Sequence, residues 1–245
     1  MQPPKLRDSI KIIDTEPYPL NDIPEDVITK IGAYLVYLVR VGRKEITGSD
    51  WGDIFASSIV GRHLDSPCGI ADVVYKNMAW SMKTVKNNKP FSVKNIRLIS
   101  GRCSPDYSYG ITDPHKDLNK TGQAVLSIWN QRVNIAQQQY SPLRVGVLIR
   151  SYDLKEYCFY EEECIRYGIT DYEWVPNRNN NLIGISKNTG EECFTWQPHG
   201  SQLTIHSKVP KTAIKFSIRL PQKITREELL KELKFDSSWV SIDRD

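Results

Sequence analysis

Gly69-Ile-Ala-Asp-Val-Val-Tyr75, followed by Lys76-Asn77 and then Met78-Ala-Trp-Ser-Met-Lys-Thr-Val85, is the stretch on which the reading of this chain turns. Two runs rich in β-branched and aromatic residues, separated by a two-residue turn, predict adjacent strands of a hairpin. Side chains alternate faces along a strand, so Ser81, Lys83 and Val85 share one face. With the hairpin paired in this way, Asp72 faces Ser81 and Lys83 across the turn. The plain alternative is an edge hairpin with a capping aspartate and a solvated lysine.

Upstream, Pro24-Glu25-Asp26 predicts a helix start, with proline at its first position and acids in its first turn. Ile28, Ile31, Leu35, Leu38 and Val39 continue it at helical spacing. Gly48-Ser49-Asp50 is read as the cap of a second helix, Trp51 to about Val60. Downstream, Ser92–Ser100 reads as a third strand. Residues 113–139 carry a stripe of Val125, Ile128, Trp129, Arg132, Val133 and Ala136, the pattern of a long helix. Leu143-Arg-Val-Gly-Val-Leu-Ile149 is an almost wholly apolar run, as in a strand buried on both faces. Strands are expected at Glu156–Tyr160, Tyr172–Val175, Ile183–Ser186, Gln202–His206 and Ala213–Leu220. A Thr-Arg-Glu-Glu capping box at Thr225 opens a last helix to about Leu233. The expected fold class is α/β (α+β): a mixed sheet flanked by helices, with a C-terminal β-rich extension. Residues 1–23 read as an arm, 24–150 as the core, and 151–245 as a β-rich part of the same domain plus the final helix.

Composition narrows the function classes. The chain has 245 residues, 40% hydrophobic and 25% charged, which suits a soluble globular protein and excludes a disordered one. No apolar run approaches the ~20 residues that span a bilayer, and no apolar segment follows the first residues as in a secretory signal. Five cysteines without a C-x-x-C pair predict free thiols and a cytoplasmic location. The net charge of +4 is uneven. Val73–Tyr152 carries a net +9, Asp153–Glu192 a net −5, and Cys193–Arg226 six basic residues and no acid. Two basic blocks of this kind suit a polyanion such as nucleic acid, although lysines also simply solvate strand faces. The four histidines lack the spacing of a zinc hydrolase. There is no Walker loop, no G-x-G-x-x-G and no G-x-S-x-G, so nothing points to a nucleotide cofactor or a serine hydrolase.

Asp72, Lys83 and the basic run Lys86, Lys89, Lys94 and Arg97 together fit a metal-dependent phosphodiesterase centre. A carboxylate suits Mg²⁺, a hard cation that keeps several waters. Lysine is suited to positioning or deprotonating an attacking water. The pattern Ala71-Asp72…Ser81-Met82-Lys83 resembles the PD-(D/E)XK nuclease superfamily, whose signature is an aspartate on one strand and (Asp/Glu)-x-Lys on the next. The order of elements over residues 24–150 is similar to that family's αβββαβ core. The resemblance implies a Mg²⁺-dependent, site-specific endonuclease like the type II restriction enzymes, acting on double-stranded DNA as a homodimer. It implies a catalytic set of Asp72, Ser81, Lys83 and Asp53, with metal held by Asp72, Asp53 and the Met82 carbonyl. Two departures stand out: alanine at 71 replaces a proline, and Ser81 replaces an acid. Asp53, on the helix before the motif, is the candidate for the missing carboxylate, ahead of Glu45, Asp50 and Asp117. Alternatively, Ser81 marks a binding-only descendant of such an enzyme, and an RNA-directed protein is a further reading.

Base readout is expected from Gln197, His199, Ser201 and Gln202, since glutamine can bond adenine bidentately and the other groups suit either kind of base edge. Asn179 and Asn180 offer similar groups in a second turn. Lys208 and Lys211 suit phosphates, which fix register without reading sequence. Both segments also read as ordinary turns.

Overall fold

The computed structural model describes residues 16–64 and 70–243; Cys68, Gly69 and residues 1–15 of the expected arm lie outside the described residues. Helices α1 (Glu25–Arg40) and α2 (Gly48–Ile59) come first. Acids in the first turn of α1 and Arg40 in its last suit the helix dipole. Helix α2 begins earlier than expected because Thr47, rather than Gly48-Ser49-Asp50, is its cap. The Thr47 side chain accepts from the Asp50 backbone and the Asp50 side chain from that of Thr47, a capping box.

Strands β1 (Arg62–His63), β2 (Val73–Tyr75), β3 (Met78–Lys86) and β4 (Asn95–Arg102) follow, then α3 (Pro105–Tyr109) and α4 (Leu118–Gln139). The long helix starts at Leu118, capped by Asp117, and residues 113–117 form a turn. Strands β5 (Leu143–Arg150), β6 (Glu156–Glu163), β7 (Tyr172–Pro176), β8 (Leu182–Ser186), β9 (Glu192–Gln197), β10 (Gln202–Lys208) and β11 (Ile214–Ser217) precede α5 (Arg226–Glu232). The sequence reading had not anticipated β1, α3 or β9.

The chain is therefore a mixed α+β protein with two sheets. The first has strand order β1-β2-β3-β5-β6-β11 and the second β4-β10-β9-β8-β7. In the first sheet only β3 and β5 pair in parallel, with α4 in the crossover between them. The third strand of the sequence reading leaves this sheet: β4 alternates buried and exposed residues and pairs with β10 instead. Conversely, β6 and β11 complete the first sheet. One face of that sheet packs on α1 and α2 through Trp80, Met82, Leu148 and Phe159. Its other face packs on α4 and the second sheet through Val145, Val147, Val125, Trp129, Leu98 and Ile205.

Residues 16–23 dock on the sheet. The Tyr18 hydroxyl donates to Glu161 at 2.9 Å, the Trp80 indole N–H to the same oxygen at 2.7 Å, and Arg144 to the other at 3.0 Å. Arg144 also reaches Glu16 at 2.7 Å. Glu161 is fully desolvated, which pushes its carboxyl upward, while Arg144 and these donors pull it back. A buried ion pair survives only with such complete partnering.

Candidate functional site

Strand β2 begins only at Val73, opposite Trp80, and pairs three residues with β3, so β3 has no strand partner beside Met82 and Lys83 on that side. Asp72 fills the break. Its backbone N–H donates to the Trp80 carbonyl at 2.8 Å, and its Oδ2 accepts the Met82 N–H at 2.7 Å. The Ser81 hydroxyl lies 3.4 Å from the same oxygen. One carboxylate oxygen is thus spent on the backbone, and Oδ1 has no hydrogen-bond partner among the described residues. A strand residue's N–H and C=O point to the same side, so the Met82 carbonyl faces this edge as well.

Lys83 continues the face of Ser81. Desolvation pushes its ammonium downward from the ordinary lysine value, and the Asp72 carboxylate opposes the shift. Among the described residues no hydrogen bond or ion pair ties its Nζ. Beside it opens a cavity of about 320 Å³ lined by Gly48, Ser49, His63, Leu64, Asp72, Met82 and Lys83. Gly48 and Ser49 are the first residues of α2, whose leading N–H groups have no intrahelical acceptor and favour an anion.

Asp72, Ser81, Met82 and Lys83 therefore come together as the hairpin predicted. Asp53 does not join them: its side chain is 78% exposed and faces His63 Nδ1 at 4.0 Å. The weaker candidates have structural partners. Glu45 bonds Lys86 and Arg150, Asp50 belongs to the α2 cap and pairs with Arg43, and Asp117 caps α4. Among the described residues no group of three His, Cys, Asp or Glu side chains could hold a metal. The donors that fit a cation are the free Asp72 oxygen and the Met82 carbonyl, a set that suits Mg²⁺ only with waters and phosphate oxygens completing the shell.

The expected nucleic-acid contacts separate into two groups. Lys94, Arg97, Lys208 and Lys211 gather where β4 begins and β10 ends, since Asn95 pairs with Lys208 and Val209 bonds the Lys94 carbonyl. Lys208 is held by Glu191 at 2.6 Å. Lys86 and Lys89 stand at the end of β3 and in the loop after it, and Lys86 is neutralised by Glu45. Gln197, His199, Ser201 and Gln202 form the β9–β10 turn, roughly 20 Å away along β10 at ~3.3 Å per residue. Asn179 and Asn180, in the β7–β8 turn, belong to that second end, where the Asn180 carbonyl meets His115 Nε2 at 3.0 Å. His63 and the start of α2 are the site components the sequence reading missed. Among the described residues no helix is long and apolar enough to cross a membrane. No protein-family model, curated protein or solved structure matches this chain.

Proposed function

We propose that the chain is a Mg²⁺-dependent, site-specific endonuclease of double-stranded DNA, with a restriction-endonuclease-like core acting as a homodimer. The observation that carries this reading is the strand break beside β3, where an Asp72 carboxylate with one oxygen unbonded among the described residues stands next to the desolvated Lys83. Mg²⁺ bound at Asp72 and the Met82 carbonyl would neutralise charge on the scissile phosphate and make its bound water more acidic. Lys83 accepts the proton of the attacking water, and its downward shift raises the fraction of neutral amine available for this. The α2 N-terminus receives the phosphate oxygens. The basic strip from Lys86 and Lys89 to Lys94, Arg97, Lys208 and Lys211 binds the DNA backbone, and the turns with Gln197, His199, Ser201, Gln202, Asn179 and Asn180 read bases. Two copies bring one site to each strand of a palindromic target.

A DNA-binding protein without cleavage is the second reading, favoured by Asp72 being the one carboxylate among the described residues that line the cavity. Digestion of plasmid and phage DNA with Mg²⁺ or EDTA, alongside Lys83→Ala, separates the two. Discrete fragments with Mg²⁺ only, lost in the variant, support the nuclease. Equal DNA binding in both conditions with no nick refutes it in favour of the binder.

A further inference from the structure

The cavity draws its walls from both faces of the first sheet. Ser81 and Lys83 project toward α4, whereas Met82 projects toward α1 and α2. His63 stands on the Met82 side, because it pairs with the buried Val73 and its ring packs on α2. A phosphate lying at the strand edge would thus have Lys83 on one side and His63 on the other. In-line displacement at phosphorus places attacking and leaving oxygens on opposite sides, so a base on one wall calls for a proton donor on the other.

We propose that His63 is that donor, protonating the leaving 3′ oxygen, with Asp53 as its positioning residue. The inference rests on the nuclease reading above. Three features hold the imidazole. The β1–β2 pairing sets His63 opposite Val73, one residue from Asp72, and the Leu64 N–H bonds the Asp72 carbonyl at 2.8 Å. Asp53 Oδ1 faces Nδ1 at 4.0 Å. The ring lies over Gly52, where any Cβ would stand 2.6 Å from Nε2, so only glycine leaves room for it. With Nδ1 facing Asp53, the donated proton is assigned to Nε2.

The step balances. The water oxygen bonds to phosphorus as its proton passes to the neutral Lys83 amine. The P–O3′ bond breaks with its electron pair on O3′, which takes the Nε2 proton and leaves a neutral imidazole and a 3′ hydroxyl. Solvent then restores both groups. Asp53, which sequence reading had assigned to the metal, thereby acts on the reaction through His63.

The test replaces the 3′ bridging oxygen of the scissile bond with sulfur, a leaving group that needs no proton, in a duplex carrying the mapped cleavage site. His63→Ala should cut the ordinary duplex about 10²–10⁴-fold more slowly than the parent, yet lose less than tenfold on the sulfur-bridged one. His63→Gln, which keeps a polar group of similar reach, should behave alike, and both variants should melt as the parent does. Lys83→Ala should be slow on both duplexes. Equal loss on the two duplexes, or parent-like cutting by both His63 variants, overturns the assignment while leaving the nuclease standing. A parent that cuts neither duplex overturns the nuclease reading and this inference with it.

Discussion

Placing a second acid at Ser81, beside Asp72, is the sharpest probe of the site. Ser81 is 1% exposed and its hydroxyl lies 3.4 Å from Asp72 Oδ2. In Ser81→Asp two carboxylates would stand ~4 Å apart, a repulsion of about 4 kcal/mol at an effective dielectric of 20. The protein escapes this by keeping the introduced carboxyl protonated. Holding that proton at pH 7 against an ordinary aspartate value of ~3.9 costs at most about 4 kcal/mol at 1.36 kcal/mol per unit. The two limits agree, so the variant should lose roughly 3–4 kcal/mol at pH 7 in EDTA. The introduced group is raised in the folded state, so the unfolded chain releases its proton first. The penalty therefore grows as pH rises above about 4 and vanishes below it. Mg²⁺ between the carboxylates removes the repulsion, and a concentration 100-fold above its Kd should return about 2.7 kcal/mol. Urea unfolding of parent and variant at pH 4 and pH 7, with EDTA or Mg²⁺, measures all of this. A variant as stable as the parent at pH 7 in EDTA, with no response to Mg²⁺, would show that the two side chains do not share one cation site.

Three further outcomes follow from particular contacts. Asp72→Ala leaves the Met82 N–H unpaired and should cost about 1–3 kcal/mol on unfolding, whereas Asp72→Asn retains an acceptor and should unfold like the parent while losing Mg²⁺-dependent cleavage. Lys83→Met should abolish cleavage and spare DNA affinity. Because the Lys83 ammonium is shifted down by burial, the parent should gain stability relative to this variant as pH rises through the lysine's folded value toward 10.5, read by unfolding at pH 7 and pH 10. Glu191→Gln frees Lys208 and should tighten DNA binding, while Lys208→Ala should lower the slope of log affinity against log salt by about one if that lysine meets a phosphate.

The hairpin was legible because a two-residue turn leaves almost no freedom of register, and register decides which side chains share a face. The Thr225 box was legible because both of its reciprocal partners are local. What escaped depends on partners remote in sequence. Thr47 was hidden by Gly48-Ser49-Asp50, which are equally good cap formers. His63 sits on a two-residue strand, too short for any periodicity. Strand β4 has a clear alternating pattern, yet nothing in that pattern says which sheet accepts it. Arg144 sits inside the apolar run 143–149 and Glu161 just past the expected strand Glu156–Tyr160, and neither position signals a buried pair; their burial requires Tyr18 and Trp80 to arrive from elsewhere in the chain.

The site lies where it does because the first sheet is incomplete there. A continuous β2 would cover the Met82 N–H and carbonyl with ladder bonds, leaving no edge for a phosphate. The late start of β2 at Val73 exposes both groups, and Asp72 answers only the donor, through a single oxygen. Asp72, Met82 and Lys83 all border the same opening. The local defect in backbone pairing and the candidate chemistry are thus one feature. A substitution that extended β2 pairing along β3 should therefore stabilise the fold at the expense of the site.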